Sequence, residues 1–254
     1  MSSMIQEMKK DIHLTGKDLM GMVQLRASDI GKYVIVPGPR ERLDGLLKKI
    51  EEPVKNFSFM EYTMYTGMYE GARVTAINGG RFSADTAITT EILCNAEAEY
   101  MIRIGSCGAL REDIRIGDLI VADSALRGEG VTPYYVNESF QPAADKDLTK
   151  MMEGVAKAAG QKVHTGKVWS TDAILRETKE HVGKAMSKGA IAVDMVTSVF
   201  LTICELYKIK ATVILAVSDN LITGEMGFMN PSYYMAEGST INIALNLVKK
   251  LGDK

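Results

Sequence analysis

Cysteine is scarce and scattered in this chain. Cys94, Cys107 and Cys204 are the only three, an odd set without Cys-x-x-Cys spacing, which argues against a disulfide framework or a zinc site. Histidine is as thin. His13, His164 and His181 lack metal-ligand spacing, so no metal is expected. No apolar run approaches the ~18 residues that a membrane-crossing helix needs. The opening stretch MSSMIQEMKKDIHL is too polar for the apolar core of a signal peptide. Neither charge sign dominates, with 30 Lys and Arg against 32 Asp and Glu. The short basic runs MKK and LVKK read as solvated helix ends, so nucleic acid is not an expected partner. These absences leave a cytoplasmic protein with neither membrane nor nucleic-acid contacts as the expectation.

What is present is ordinary globular composition, 46% hydrophobic and 24% charged, on a chain long enough for a sizeable core. YVIVPG (33–38) is an apolar, β-branched run closed by Pro-Gly, so a buried strand is expected. RERLDGLLKKI places Leu43, Leu46, Leu47 and Ile50 at helical spacing. FSFMEYTMYTGMYEGARVTAI reads as strands turning at Glu70-Gly71. SADTAITTEILCNAEA reads as a helix with Ser83 as N-cap. DLIVADSA is a strand, DKDLTKMMEGVAKAAG a helix closed by Gly160, and KVHTGKVWS a strand. VTSVFLTICELYK is a buried helix, ATVILAVSDN a central strand, and STINIALNLVKKL the closing helix. Repeated strand–helix alternation implies an α/β fold, three-layer αβα with a mixed central sheet. No linker or internal repeat interrupts it, so residues 1–254 are expected to form a single domain. The sixteen methionines read as core filler or subunit-contact residues.

Ligands of such sheets gather at the carboxyl ends of strands. There the sequence offers Gly38 and Arg42, then Arg103, Gly105 and Ser106, then Ser218, Asp219 and Asn220. The segment MIRIGSCGAL (101–110) is notable because it places a guanidinium on an apolar strand that ends in small residues. Two arginines, a hydroxyl and glycine N–H groups suit a phosphate or carboxylate. The bland alternatives are an ion pair of Arg103 with a carboxylate such as Asp118, and a solvated helix face for Arg42. Asp219 ends an apolar strand, where desolvation would let it carry a proton near neutral pH; a helix N-cap is the alternative. His164, in a strand pattern, reads as structural, and Cys107 as a small buried residue rather than a nucleophile.

At this point the chain resembles the nucleoside phosphorylases of the uridine phosphorylase and hexameric purine nucleoside phosphorylase type. IHLTGKDLMG is similar to that family's segment before the first strand, and VIVPGPRERL to its phosphate loop. IRIGSCGAL is similar to its Arg-x-Gly-Ser/Thr-Cys/Thr-Gly segment, and IRIGDLIVADSALRGEGVTPYY to the segment that follows. AVDMVTS stands at its Val-Glu-Met-Glu, and VSDN at its purine-type Ser-Asp. The resemblance implies a partly barrel-like mixed sheet and a homo-oligomer built from dimers, with a hexamer as one assembly. It implies phosphorolysis of a nucleoside to free base and sugar 1-phosphate, with inorganic phosphate as co-substrate and no cofactor. It assigns Gly38, Arg42, Arg103 and Ser106 to phosphate. His13 would cross to the partner's site and contact the sugar 5′-hydroxyl. Met195 would pack under the ribose, and Asp219 would protonate the leaving base.

Several positions depart from the pattern. Pro39-Arg40 replaces Asp-Pro in the phosphate loop. The arginine that crosses from a neighbouring subunit falls on Met60, with Arg40 or Arg81 as candidate substitutes. Asp194 shortens the first glutamate of Glu-Met-Glu and Val196 replaces the second, which would otherwise grip the ribose hydroxyls. The uracil-reading positions fall near Thr178 and Glu180, and an expected aromatic falls on Ile174. These departures point to an atypical sugar, deoxy or otherwise modified, and to a purine-like base. They also leave open an inactive or ligand-binding paralogue. A phosphate-independent nucleosidase is disfavoured, because such enzymes generally lack the phosphate arginines.

Overall fold

A computed structural model describes residues 12–96 and 98–252. The N-terminal stretch read against a signal peptide lies almost wholly outside the described residues, as does its MKK run. In chain order the elements are α1 (Gly16–Met22), β1 (Tyr33–Gly38), α2 (Arg40–Leu47), β2 (Glu51–Phe59), β3 (Tyr62–Tyr69), β4 (Ala72–Asn78), α3 (Ser83–Asn95), β5 (Tyr100–Ala109) and β6 (Leu119–Gly128). There follow α4 (Lys146–Ala158), β7 (Val163–Thr171), α5 (Lys179–Ser187), β8 (Ala190–Asp194), α6 (Thr197–Leu206), β9 (Lys210–Asn220), β10 (Glu225–Met226) and α7 (Pro231–Gly252).

The strands join in the order β10-β9-β6-β7-β8-β5-β1-β4-β3-β2, with β9 also pairing β5. That extra pairing closes β5, β9, β6, β7 and β8 into a barrel, from whose β5 wall the β1-β4-β3-β2 sheet extends. The sheet is mixed: β1 runs parallel to β4 and β5, whereas β6 runs antiparallel to β9. Helices cover both faces. Val34, Met101 and Val213 pack with residues of α3 and α6 on one side. Ile35, Ile102 and Ile214 pack with residues of α2, α4 and α7 on the other. Adjacent residues thus serve opposite cores, as the two-residue period of a strand buried on both faces requires. The expected α/β class and mixed sheet are therefore what the chain forms. Among the described residues no helix is long and apolar enough to cross a membrane.

Glu70 (φ 48°) and Gly71 (φ 78°) both occupy the left-handed region, the geometry that matches the twist of a tight hairpin. Gly160 (φ 74°) ends α4 as its spacing suggests. Four local readings need correction. Ser83 is the first helical residue of α3 rather than its cap; the Asp85 carboxylate accepts the Phe82 N–H at 2.7 Å, and the Ser83 hydroxyl donates to Asp172. Helix α2 stops at Leu47, so Ile50 packs from beyond it. Strand β2 already begins at Glu51, and α7 begins at Pro231, well before Ser239. Helices α1 and α5 and strand β8, of seven, nine and five residues, are too short to leave a clear periodic signature.

Candidate functional site

A cleft of about 820 Å³ opens where the carboxyl ends of β5 and β9 meet the loops after β1, β4, β7 and β8. Arg42, Arg103, Ser106, Asp194, Met195 and Asp219 all line it, so most of the residues singled out by sequence converge on one place.

Arg103 is rooted in the middle of β5, on the same face as Met101 and Cys107. Its side chain is only 7% exposed. Nη2 donates to Gly80 C=O at 3.3 Å and lies 3.5 Å from Asp194 Oδ2. Nε and Nη1 are buried and make no hydrogen bond among the described residues. A buried donor without an acceptor costs roughly 1–3 kcal/mol, more when charged, so the two nitrogens call for an acceptor from outside the chain. Gly105 makes the arrangement possible, because a Cβ there would overlap Arg103 Nη1. The glycine two residues on therefore houses the guanidinium. Burial pulls Arg103 below the usual guanidinium range, the nearby Arg42 charge adds to that, and Asp194 opposes it.

A carboxylate does stand beside Arg103, but it is Asp194 rather than Asp118. Asp118 is bonded to His164 at 2.9 Å and Lys162 at 3.0 Å, where β6 and β7 begin, and it does not line the cleft. This also makes His164 structural, as expected.

Arg42 is buried too, not on a solvated face. Its Nε and Nη2 donate to Glu237 Oε1 of α7 at 3.2 and 2.5 Å, and Nη1 donates to Pro37 C=O at 2.6 Å. A weaker bond runs from Nη1 to Ile104 C=O at 3.4 Å. Most of its fork is therefore committed within the chain, which the sequence did not anticipate. Gly38 turns with φ 80°, and a Cβ there would stand 3.5 Å from Arg42 Nη1, so it shapes the back of the arginine rather than the cleft wall. Ser106 is half-buried on the wall.

Asp219 owes its position to a bulge. The β5–β9 register steps from Cys107↔Val217 to Gly108↔Asp219, skipping Ser218. Such a bulge bends a strand and re-aims its side chains. Ser218 Oγ lies 2.7 Å from Asp219 Oδ1. Asp219 is therefore not a helix N-cap. Asn220 is structural: its Nδ2 donates to Arg111 and Ile114 carbonyls, while its Oδ1 accepts from Ile222 and Thr223.

Among the sugar-site candidates, Met195 lines the cleft, half-buried. Asp194 is on the wall, but both its oxygens are occupied. Oδ1 accepts from Ser170 Oγ at 2.8 Å and the Val196 N–H at 3.2 Å, and Oδ2 accepts from Thr197 Oγ1 at 2.7 Å. It anchors the start of α6 as a capping acid does, and removing an acid from such a buried network costs about 3–5 kcal/mol. Val196 is fully buried and does not line the cleft, so it offers a sugar no surface. His13 is exposed and does not line its own chain's cleft.

The remaining candidates separate cleanly. Met60 sits at an exposed left-handed turn between β2 and β3, with φ 52°. Arg40 bonds Asp44 and Thr63 away from the cleft. Arg81 lines the cleft and pairs with Glu61 at 2.6 Å. Thr178 and Ile174 line it, whereas Glu180 does not. Cys107 is buried, and burial pushes its thiol well up, which makes it a packing residue. Among the described residues no three His, Cys, Asp or Glu side chains are arranged to hold a metal ion. Sequence reasoning missed Glu237, Tyr233 and Glu177, which also line the cleft. The first two lie at helical spacing on α7, but nothing local in the sequence says which face of that helix meets β5 and β9.

The phosphorylase superfamily model matches residues 32–239. A uridine phosphorylase of Thermococcus kodakarensis is 28% identical over 218 residues, covering 81% of this chain and 79% of that protein. A guanosine phosphorylase of Halorubrum lacusprofundi is 26% identical over 196 residues, covering 77% and 81%. A DeoD-type purine nucleoside phosphorylase of Bacillus cereus is 28% identical over 206 residues, covering 80% and 88%. The crystal structure of uridine phosphorylase from Vibrio fischeri, complexed with 6-hydroxy-1-naphthoic acid, superposes with a TM-score of 0.82. It covers 92% of this chain and 99% of that one at 24% identity, and shows the shared fold. The three sequence relatives carry names of three different base preferences at nearly equal similarity.

Proposed function

From the premise that this chain belongs to the phosphorylase superfamily and is a glycosyltransferase, we propose that it cleaves the N-glycosidic bond of a nucleoside with inorganic phosphate. The observation that carries this reading is Arg103, with two buried guanidinium nitrogens lacking an acceptor on the wall of the cleft. A phosphate oxygen satisfies them, and Ser106 Oγ stands on the same wall. Arg42 supports the anion by its charge and by whatever part of its fork Glu237 releases. Gly38 sets the loop behind it.

In the proposed reaction a phosphate oxygen forms a bond to C1′ while the C1′–N bond breaks. The bonding pair leaves with the base, and positive charge builds on the sugar. Phosphate held beneath C1′ stabilises that charge and is pre-positioned for attack. Asp219 gives a proton to the departing base. Met195 packs under the sugar, and His13 reaches the 5′-hydroxyl of the neighbouring subunit's substrate in a dimer-based homo-oligomer. The chain acts as one domain and needs phosphate but no cofactor.

With Asp194 saturated and Val196 buried, neither is free to grip the 2′- and 3′-hydroxyls. A buried hydroxyl without a partner is penalised, so a deoxy or otherwise modified sugar is preferred. Asp219 favours a purine-like base over uracil. The Arg42–Glu237 pair favours one competing reading, a family member that binds ligand without turnover. Incubating a panel of ribo- and deoxynucleosides with and without orthophosphate separates the readings. Phosphate-dependent base release is expected. Phosphate-independent release would mark a nucleosidase, and binding without release would mark the inactive paralogue.

A further inference from the structure

One carboxyl in the cleft has no task in the reaction above. Glu177 follows the single turn Ile174–Arg176, and the Thr178 N–H donates back to Arg176 C=O at 2.8 Å. With φ −74° and ψ 65° at Glu177, this is an inverse γ-turn, a bend tight enough to set the residue apart from both its neighbouring elements. Its side chain is half-buried and lines the cleft. It makes no hydrogen bond or ion pair among the described residues. Arg81, Arg103 and Arg176 line the same cleft, as do Asp194 and Glu237, yet none of them is bonded to it. The charge that acts on it is Asp219, of like sign, from the bulged end of β9. Burial first, and Asp219 second, push the Glu177 carboxyl up to about 7. A half-buried acid beside a second acid, with no ion-pair partner among the described residues, is a costly arrangement of the kind found at functional sites.

We propose that Glu177 is the group that reads the leaving base, pairing one carboxyl oxygen with a donor on the base and the other with an acceptor. The inference rests on the cleft being a nucleoside site. A protonated carboxyl presents O–H beside C=O, the same pattern as a glutamine amide. That pattern pairs bidentately with adenine through its exocyclic amino group and a ring nitrogen. An ionised carboxylate only accepts. It suits two adjacent donors, such as the ring N–H and exocyclic amino group of guanine. The two purines therefore call for opposite protonation states of one residue. In the neutral range Glu177 supplies both, so base preference shifts with pH. Below its titration adenine is favoured, and above it guanine is favoured.

The experiment compares kcat/KM for deoxyadenosine and deoxyguanosine between about pH 6 and about pH 8, at saturating phosphate. Ionisation of phosphate affects both substrates alike and cancels in the ratio. For the wild-type protein the deoxyguanosine-to-deoxyadenosine ratio is expected to rise about tenfold across this range. In Glu177→Gln, which fixes the donor–acceptor pattern, the ratio is expected to stay flat and to favour deoxyadenosine. A residue that merely supports the loop would lower both substrates alike and leave the pH trend in place. A flat wild-type ratio, or a rise that survives in Glu177→Gln, overturns the inference. Equilibrium binding of free adenine and guanine in phosphate buffer gives the same ratio without turnover. A pH trend in binding that Glu177→Gln abolishes, with no phosphorolysis of any nucleoside, would overturn the proposed reaction and uphold the base-reading role.

Discussion

Arg103 and Glu177 stand in one cleft, and they are built in opposite ways. Arg103 grows from the middle of a ten-residue strand, with neighbouring strands on both sides and Gly105 making room for its head. Glu177 stands at a γ-turn between two short helical segments, and among the described residues no side chain is bonded to it. The first is a rigid cation with two buried nitrogens that lack a partner among the described residues. The second is an acid that burial, and then Asp219, push up to about 7. In the proposed reading, the contrast teaches that the anion end of the cleft is fixed by the sheet. The base end is set by loop geometry, where divergence costs the fold little.

The strongest way to break this contrast is at Gly105. Gly105→Ala should displace the Arg103 guanidinium and reduce kcat/KM for phosphate by about 10²–10³-fold. It should also destabilise the protein by about 1–3 kcal/mol through overpacking, seen as an earlier denaturant midpoint. Unchanged phosphate kinetics in a folded variant would mean that Arg103 does not contact the anion.

Next comes Asp219→Asn, which keeps the shape of the side chain but removes its proton-carrying ability. A fall of about 10²-fold in kcat with little change in phosphate KM is expected. An equal change in both parameters would place Asp219 at the anion end instead.

Glu237→Gln sharpens the comparison within the anion end itself. If Arg42 divides its fork between Glu237 and phosphate, weakening the pair should lower phosphate KM by about two- to fivefold, because the charge-assisted competitor is lost. If KM is unmoved and only stability falls, Arg42 serves as a structural brace. The smallest effect is expected from the surface arginines. Arg81→Ala should raise phosphate KM about two- to threefold, because Arg81 lines the cleft from an exposed ion pair. Arg40→Ala should leave it unchanged, because Arg40 faces Asp44 and Thr63. Steady-state kinetics at varied phosphate checks both.

Much of this was legible in the sequence, and the reason is periodicity. Buried strands such as 33–38 and 210–220 announce themselves as apolar runs, and the polar residues that end them fall at the sheet's carboxyl edge. Arg103, Ser106 and Asp219 were found that way. What periodicity cannot supply is which long-range partner a charge will take. Asp118 and Asp194 are both aspartates at strand ends, yet Asp118 binds His164 and Lys162 while Asp194 caps α6 beside Arg103. The commitment of Arg42 to Glu237 depends on a helix 195 residues later in the chain. The bulge at Ser218, which aims Asp219, exists only as a mismatch between two strands. Glu177 lies in a stretch with neither helical nor strand period, so its importance emerges only once the turn around it and the acid opposite it are both in view.

The account's central claim is that the unpartnered nitrogens of Arg103 hold an anion. Titration calorimetry of orthophosphate into the wild-type protein and into folded Arg103→Met tests it most directly. Saturable phosphate binding by the wild type, weakened at least about hundredfold in the variant, is the predicted result. Equal phosphate affinity in both proteins would contradict it.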